Sequence, residues 1–311
     1  MEHFVTLFNS LFLPQGLALH ASMERHIQNY LLWILSVDDY TYDVLLQLEL
    51  PNVHILRLSD FETTELLSIK KSRSIGEYCW TLTPFASRFV FEADHNVERV
   101  TYIDADLWFL RNPKEIFDEF ESSSKHVLIT DHAYSPEYDQ SATSGQYCVQ
   151  FLTFTRFGGE QVRQWWEDRC IEWCFARFEN GKFGDQKYLD HWPNLFASDV
   201  HVLRNFQLAL APWNASRFPY SRAVFFHFHG LRLVSKHKVE ISSHIIPSVV
   251  RKNLYLPYLR DIKNAITLLD HVGYVFIPQA RPTGFIRRLF RRFKILTAKI
   301  RPFLSDIRID L

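Results

Sequence analysis

Two carboxylates one residue apart, Asp104 and Asp106, close the apolar run Val100-Thr-Tyr-Ile103, and Arg111-Asn112-Pro113 stops regular structure soon after. In an extended backbone, residues i and i+2 face the same side, so the pair is expected to converge on one ligand beyond the carboxyl end of a buried strand. Two hard oxygen ligands beside an open sheet edge suit a divalent cation such as Mg2+ or Mn2+, which keeps positions open for substrate phosphates. An isolated Asp-x-Asp is more commonly a solvated loop. Here Tyr102 and Ile103 argue for burial, and buried carboxylates are costly unless a cation compensates them.

Late in the chain, Ala223-Val-Phe-Phe-His227-Phe-His229-Gly230 reads as an apolar strand ending in two imidazoles and a glycine. A single strand-end His is usually a satisfied polar group. Two of them, in a chain that already carries an Asp-x-Asp, suit completion of a metal site, and either ring has the chemistry for it. Gly184-Asp185-Gln186 sets an acid and an amide at an expected helix start, where an N-cap accounts for Asp185 but not for Gln186. Lys70, Lys71 and Arg73 read equally well as a phosphate clamp or a solvated run. Arg73 leans to the clamp because it precedes the helix leading into the acidic strand.

These side chains need a frame, and strand-like and helix-like segments alternate at the spacing of parallel crossover units. Strands are expected at 4–8, 32–37, 53–58, 100–103, 127–130 and 147–154, and helices at 17–30, 41–50, 62–69, 77–92, 114–121, 160–177 and 258–269. Pro84 is expected to interrupt the fourth helix, and 133–145 reads as an acceptor-binding loop or a surface excursion. The tryptophans of 160–177 recur at helical spacing and belong to the core. The expected fold class is α/β: a mostly parallel mixed sheet flanked by helices, with a basic helical appendage.

An apolar fraction of 47% over 311 residues is ample for a core, and a net charge of zero gives no case for nucleic acid as a partner. Charge is uneven, however: residues 281–311 hold nine Lys/Arg against two Asp/Glu. Within them, 284–301 places Phe285, Leu289, Phe293 and Leu296 at helical spacing among basic residues. That pattern predicts a helix on an anionic membrane surface. Cys79, Cys148, Cys170 and Cys174 show no paired framework, which points to a reducing compartment. Neither a spanning helix nor a signal peptide is expected.

Taken in order, Tyr78-Cys-Trp-Thr-Leu-Thr83, Tyr102-Ile-Asp104-Ala-Asp106, Gly184-Asp185-Gln186, Trp213-Asn214 and His227-Phe-His-Gly230 resemble nucleotide-sugar glycosyltransferases of the GT-A fold. The resemblance is to the retaining family 8 group, which includes glycogenin and the lipooligosaccharide galactosyltransferases. It implies a Rossmann-like GT-A domain over 1–240 and leaves 241–311 as a helical extension. It also implies that Asp104, Asp106 and His227 hold Mn2+ or Mg2+ against the donor diphosphate, with Tyr102, Ala105 and Gly230 alongside. By the same resemblance, Asp185 and Gln186 are catalytic near the anomeric centre, Thr6, Leu7 and Phe8 receive the base, and Arg73 holds the donor sugar or its phosphates. Two departures stand out. Leu231-Arg232-Leu233 replaces the family's Lys-Pro-Trp, so that Arg232 or Lys236 substitutes, and Cys148-Val149-Gln150 replaces its Asn-x-Gly.

The function so implied is metal-dependent transfer from a nucleoside-diphosphate sugar, a UDP-sugar, to a glycan or lipid-linked acceptor with retention of configuration. Its setting would be cell-surface polysaccharide or lipopolysaccharide biosynthesis, in the cytoplasm at the inner face of the membrane. Two rivals remain. An Asp-x-Asp phosphohydrolase of the haloacid dehalogenase type normally continues with Gly-Thr near the N-terminus, and Leu107-Trp108 at mid-chain speaks against it. A non-catalytic peripheral carbohydrate-binding protein would keep the frame without the chemistry.

Overall fold

The computed structural model describes residues 1–279. The expected membrane-surface helix at 284–301 lies outside them. β1 (Glu2–Phe8), α1 (Leu13–His26), β2 (Tyr30–Ser36), α2 (Asp39–Leu48) and β3 (Val53–Arg57) form two parallel crossovers. α3 (Thr64–Lys70) and α4 (Ile75–Ala93) then carry the chain back past β1 to β4 (Arg99–Ile103). There follow β5 (Leu107–Phe109), α5 (Lys114–Ser123), β6 (Val127–Asp131), the short α6 (Ser141–Ser144), β7 (Tyr147–Thr155) and α7 (Glu160–Glu172). The last part comprises α8 (Trp192–Leu195), β8 (Val200–Val202), β9 (Ala209–Leu210), β10 (Phe225–His227), β11 (Arg232–Ser235), β12 (Lys238–Glu240), α9 (Ser248–Val250) and α10 (Leu256–His271).

The main sheet has the order β3-β2-β1-β4-β7-β6-β8. Every neighbouring pair is parallel except those of β7, which runs antiparallel to β4 and β6. The expected mixed, mostly parallel α/β sheet is therefore present. β1 leads to β2 on one side while β4 lies on the other, so the strand order reverses between them. In open α/β sheets that reversal opens a crevice at the carboxyl ends of the strands, where ligands bind. β7, running the other way, brings its first residues to the same edge.

Both faces are covered, which is why the strands read as continuous apolar runs. Val5, Trp33, Leu82, Phe89 and Trp166 share the core on the α4 and α7 side. Phe4, Ile34, Leu19 and Phe117 share the core on the α1 and α5 side, and Ala265 and Leu269 of α10 join it. Trp108 Nε1 donates to Asp261 Oδ2 at 2.7 Å, fixing α10 to β5.

Local chemistry sets the helix bounds. Asp38 caps α2 through Thr41 N–H, and a reciprocal Ser74–Glu77 capping box starts α4. Pro84 lies within α4 without ending it, so the expected interruption is absent. The helix expected over 160–177 stops at Glu172, where Trp173 turns extended. Among the described residues no helix is long and apolar enough to cross a membrane.

Candidate active site

β4 ends at Ile103, and Asp104–Asp106 is a turn closed by Leu107 N–H donating to Asp104 O at 3.1 Å. The two carboxylates thus converge because the chain folds back, and not through the pleat of a strand. A second sheet, β5-β10-β9, supplies the third group. Its antiparallel register sets His227 opposite Leu107, and Phe228 N–H donates to Asp106 O at 2.9 Å. His227 Nε2 then lies 3.0 Å from Asp106 Oδ1 and 3.6 Å from Asp104 Oδ2. One ligand atom from each of the three residues falls within 4.8 Å of the others.

Each group is braced from behind. Tyr102 Oη–H donates to Asp104 Oδ1 at 2.9 Å. His227 Nδ1 stands 2.9 Å from Gln150 Oε1, an acceptor, so Nδ1 carries a proton and Nε2 is directed at the acids. Burial opposes charge on His227, but the Asp106 carboxylate and its hydrogen bond outweigh it and hold the imidazole well above its ordinary pKa. Burial likewise pushes Asp106 up, and His227 more than reverses this. Asp104 is raised, by burial first and with the Asp106 charge adding, against the opposing pull of His227. Two carboxylate oxygens and one oriented imidazole nitrogen fit a hard divalent cation such as Mg2+ or Mn2+.

Asp185 lies close enough for the Asp104 charge to act on its carboxyl. It is 3% exposed, and its Oδ2 has no hydrogen-bond partner. Its side chain makes no N-cap bond to the short 3-10 helix Gln186–His191, so capping does not explain it. Trp166 Nε1 donates to the Asp185 carbonyl at 2.8 Å and fixes the loop. Gly184 adopts φ +54°, and a Cβ there would sit 3.3 Å from the Trp80 ring, so the approach needs glycine. Burial, and then the Asp104 charge, push the Asp185 carboxyl up to about 7.

The other expected residues are placed as follows. Gln186 Nε2 donates to Ser144 O at 2.7 Å, tying this loop to the 133–145 segment. Thr6, Leu7 and Phe8 end β1 beside β4; Leu7 and Phe8 fill the two cores, and the buried Thr6 hydroxyl has no partner. Ala105 is buried in the acidic turn, and Gly230, at φ +78°, lies against Ser242. Arg73 is not left free for a phosphate: its terminal nitrogens donate to the Thr81 hydroxyl and to the carbonyls of Cys170 and Ile171. It buckles α4 to α7. Lys70 pairs with Glu62 at 2.7 Å and Lys236 with Asp270 at 2.6 Å.

Sequence reasoning gave Gln150 no role, although a lone amide within Tyr147-Cys-Val-Gln-Phe-Leu-Thr-Phe154 calls for a partner. It also missed an aromatic wall. Trp213 stands edge-on to His227 at 5.5 Å and to His132 at 5.0 Å, and Tyr134 stacks on His132. His229 is exposed beside this wall, its ring 5.4 Å from that of Trp213.

The sheet order and the acid turn at its switch point define a GT-A-fold protein. Among solved structures, the galactosyltransferase LgtC in complex with donor and acceptor sugar analogs aligns with a TM-score of 0.50 at 11% identity, over 90% of this chain and 98% of LgtC. The apo form of the glycosyltransferase GlyE of Streptococcus pneumoniae TIGR4 aligns with a TM-score of 0.50 at 14% identity, over 87% of this chain and 62% of GlyE. No protein-family model matches the chain. In sequence, YfnF of Bacillus subtilis strain 168 is 30% identical over 247 residues, 73% of this chain and 81% of YfnF. YfnD of the same strain is 29% identical over 285 residues, 85% of this chain and 89% of YfnD, and both carry the description uncharacterized. The chain belongs to the family of YfnF.

Proposed function

We propose that the protein is a metal-dependent glycosyltransferase that moves a sugar from a nucleoside-diphosphate sugar, a UDP-sugar, to a glycan or lipid-linked acceptor with retention of configuration. The setting is cell-surface polysaccharide biosynthesis. The observation that carries this reading is the convergence of Asp104, Asp106 and His227 at the switch point of the sheet, within reach of the charge of Asp185, whose Oδ2 lacks a partner. The likeness to LgtC and GlyE, a galactosyltransferase and a glycosyltransferase, supports it.

Asp104, Asp106 and His227 would hold Mn2+ or Mg2+, which when bound supplies positive charge against a departing diphosphate. Tyr102 and Gln150 fix the orientation of two of these ligands before anything binds. Asp185 offers an oxygen with no other partner where the anomeric carbon turns cationic, and Trp166 and Gly184 keep it there. Gln186 ties that oxygen's loop to the 133–145 segment, which in this reading would meet the acceptor. Trp213 closes one side of the His227 ring and limits water there.

The test is nucleoside-diphosphate release from a panel of UDP- and GDP-sugars, with Mn2+ and with chelator, for wild type and Asp106→Ala. Metal-dependent release from one donor, lost in the variant, is the expected result. Absence of both release and metal-dependent binding for every donor would overturn the reading.

A further inference from the structure

Residues 241–260 contain three basic residues, Arg251, Lys252 and Arg260, and no acidic one. Among the described residues none of the three meets a carboxylate. Arg251, Lys252 and Leu256 line a groove of about 300 Å³ together with the buried Tyr255, Leu259 and Ile241. The backbone forms a wide π turn over Arg251–Tyr255, an arrangement that recurs at functional sites. Around the groove the surface is apolar: Ile245 is 53% exposed, Val249 47% and Leu256 44%. Apolar residues scattered singly over a surface are ordinary, but three beside a groove edged by unpaired cations make an amphipathic face.

This face is continuous with the lip of the cleft. Ser242 lies against Gly230, where a Cβ would come within 3.1 Å of it, and Ile245 N–H donates to the Tyr138 hydroxyl at 2.8 Å. The His244 ring stands 4.6 Å from that of Tyr138, within the 133–145 segment.

Charge selects the occupant. The remainder of this chain, residues 281–311, carries nine Lys/Arg against two Asp/Glu, so covering the groove with it would set like charges together. A second copy docked through the same face would do the same. The complement of an apolar groove with cations at its rim is an anionic amphiphile in bulk. We propose that this face docks on an anionic lipid bilayer, with lipid phosphates at Arg251 and Lys252 and with Ile245, Val249 and Leu256 entering the headgroup layer. The proposal stands apart from the transferase reading, because vesicle binding needs neither donor nor metal.

The test uses the full chain in flotation with phosphatidylglycerol–phosphatidylcholine vesicles and with pure phosphatidylcholine vesicles. Arg251→Glu with Lys252→Glu should lower partitioning onto anionic vesicles by at least about tenfold. Leu256→Asp should lower it severalfold, including at salt concentrations that mask the charge effect. Both changes lie at the surface, and an unchanged melting temperature checks the fold. Three results would overturn the proposal: wild-type partitioning by the groove variants, equal binding to neutral vesicles, or release by inorganic phosphate at constant ionic strength. Arg287→Glu with Arg288→Glu serves as the comparison; loss of binding there, with none in the groove variants, would assign membrane contact to the C-terminal residues alone.

Discussion

At the acidic turn, Asp104 and His227 each have a second partner behind them: the Tyr102 hydroxyl holds Asp104, and the Gln150 amide holds His227. At the Asp185 loop the backbone is clamped by Trp166 and forced through Gly184, and the Thr83 hydroxyl meets the carboxyl, yet its buried Oδ2 is left without a hydrogen-bond partner. Bracing the ligand suits a group that must receive a small ion in one geometry. Leaving one oxygen of a held carboxylate without a partner suits a group whose partner arrives with the substrate. A buried acceptor without a partner costs roughly 1–3 kcal/mol, so the Asp185 loop is held in a state that binding relieves.

The largest effect expected from breaking this contrast is that of Asp106→Ala, which should lower nucleoside-diphosphate release by about 10³-fold and abolish Mn2+ binding in a calorimetric titration. Asp185→Asn should lower turnover by about 10²-fold while leaving Mn2+ affinity near wild type, read from the same titration. An equal loss of cation affinity would show that the two regions are one. Gln150→Leu should weaken Mn2+ binding by about 10- to 100-fold, because the His227 ring loses its orienting acceptor.

A smaller effect should appear in stability. The Asp185 carboxyl in the folded protein titrates at about 7, above its unfolded value, so the folded state holds an extra proton between those two values. In chelator, the stability this proton contributes is full at low pH and is lost as pH rises through about 7. Asp185→Asn should therefore flatten the decline of melting temperature between about pH 4 and 7, leaving the part due to the raised Asp104 and Glu167 carboxyls, whereas the His227 contribution is lost only at higher pH. The smallest change is Gly184→Ala, expected to cost about 1–2 kcal/mol from its left-handed backbone, measured by urea unfolding.

The acidic turn was legible because two acids closing an apolar run are costly to bury without a cation, and the sheet because its strands and helices alternate at crossover spacing. Asp185 and Gln186 drew attention because an N-cap accounts for only one of them. The sequence did not reveal how Asp104 and Asp106 converge. A run that continues apolar through Leu107-Trp-Phe-Leu110 gives no local sign that Asp104–Asp106 folds into a turn between two strands. Arg73 misled for a physical reason: guanidinium groups serve buried carbonyls as readily as phosphates, and only the packing of α4 on α7 decides which. Gln150 went unassigned because its partner lies on a strand far along the chain.

That distance has a consequence for how the protein comes into being. β5 is made early, yet the strand that completes the cluster, β10, emerges well over a hundred residues later. A nascent chain ending before Phe225 would own both carboxylates but not His227, and closing so long a loop is an entropically slow event. Cation affinity should therefore be acquired late and abruptly on refolding. Mn2+ uptake would follow, and not guide, the assembly of the main sheet.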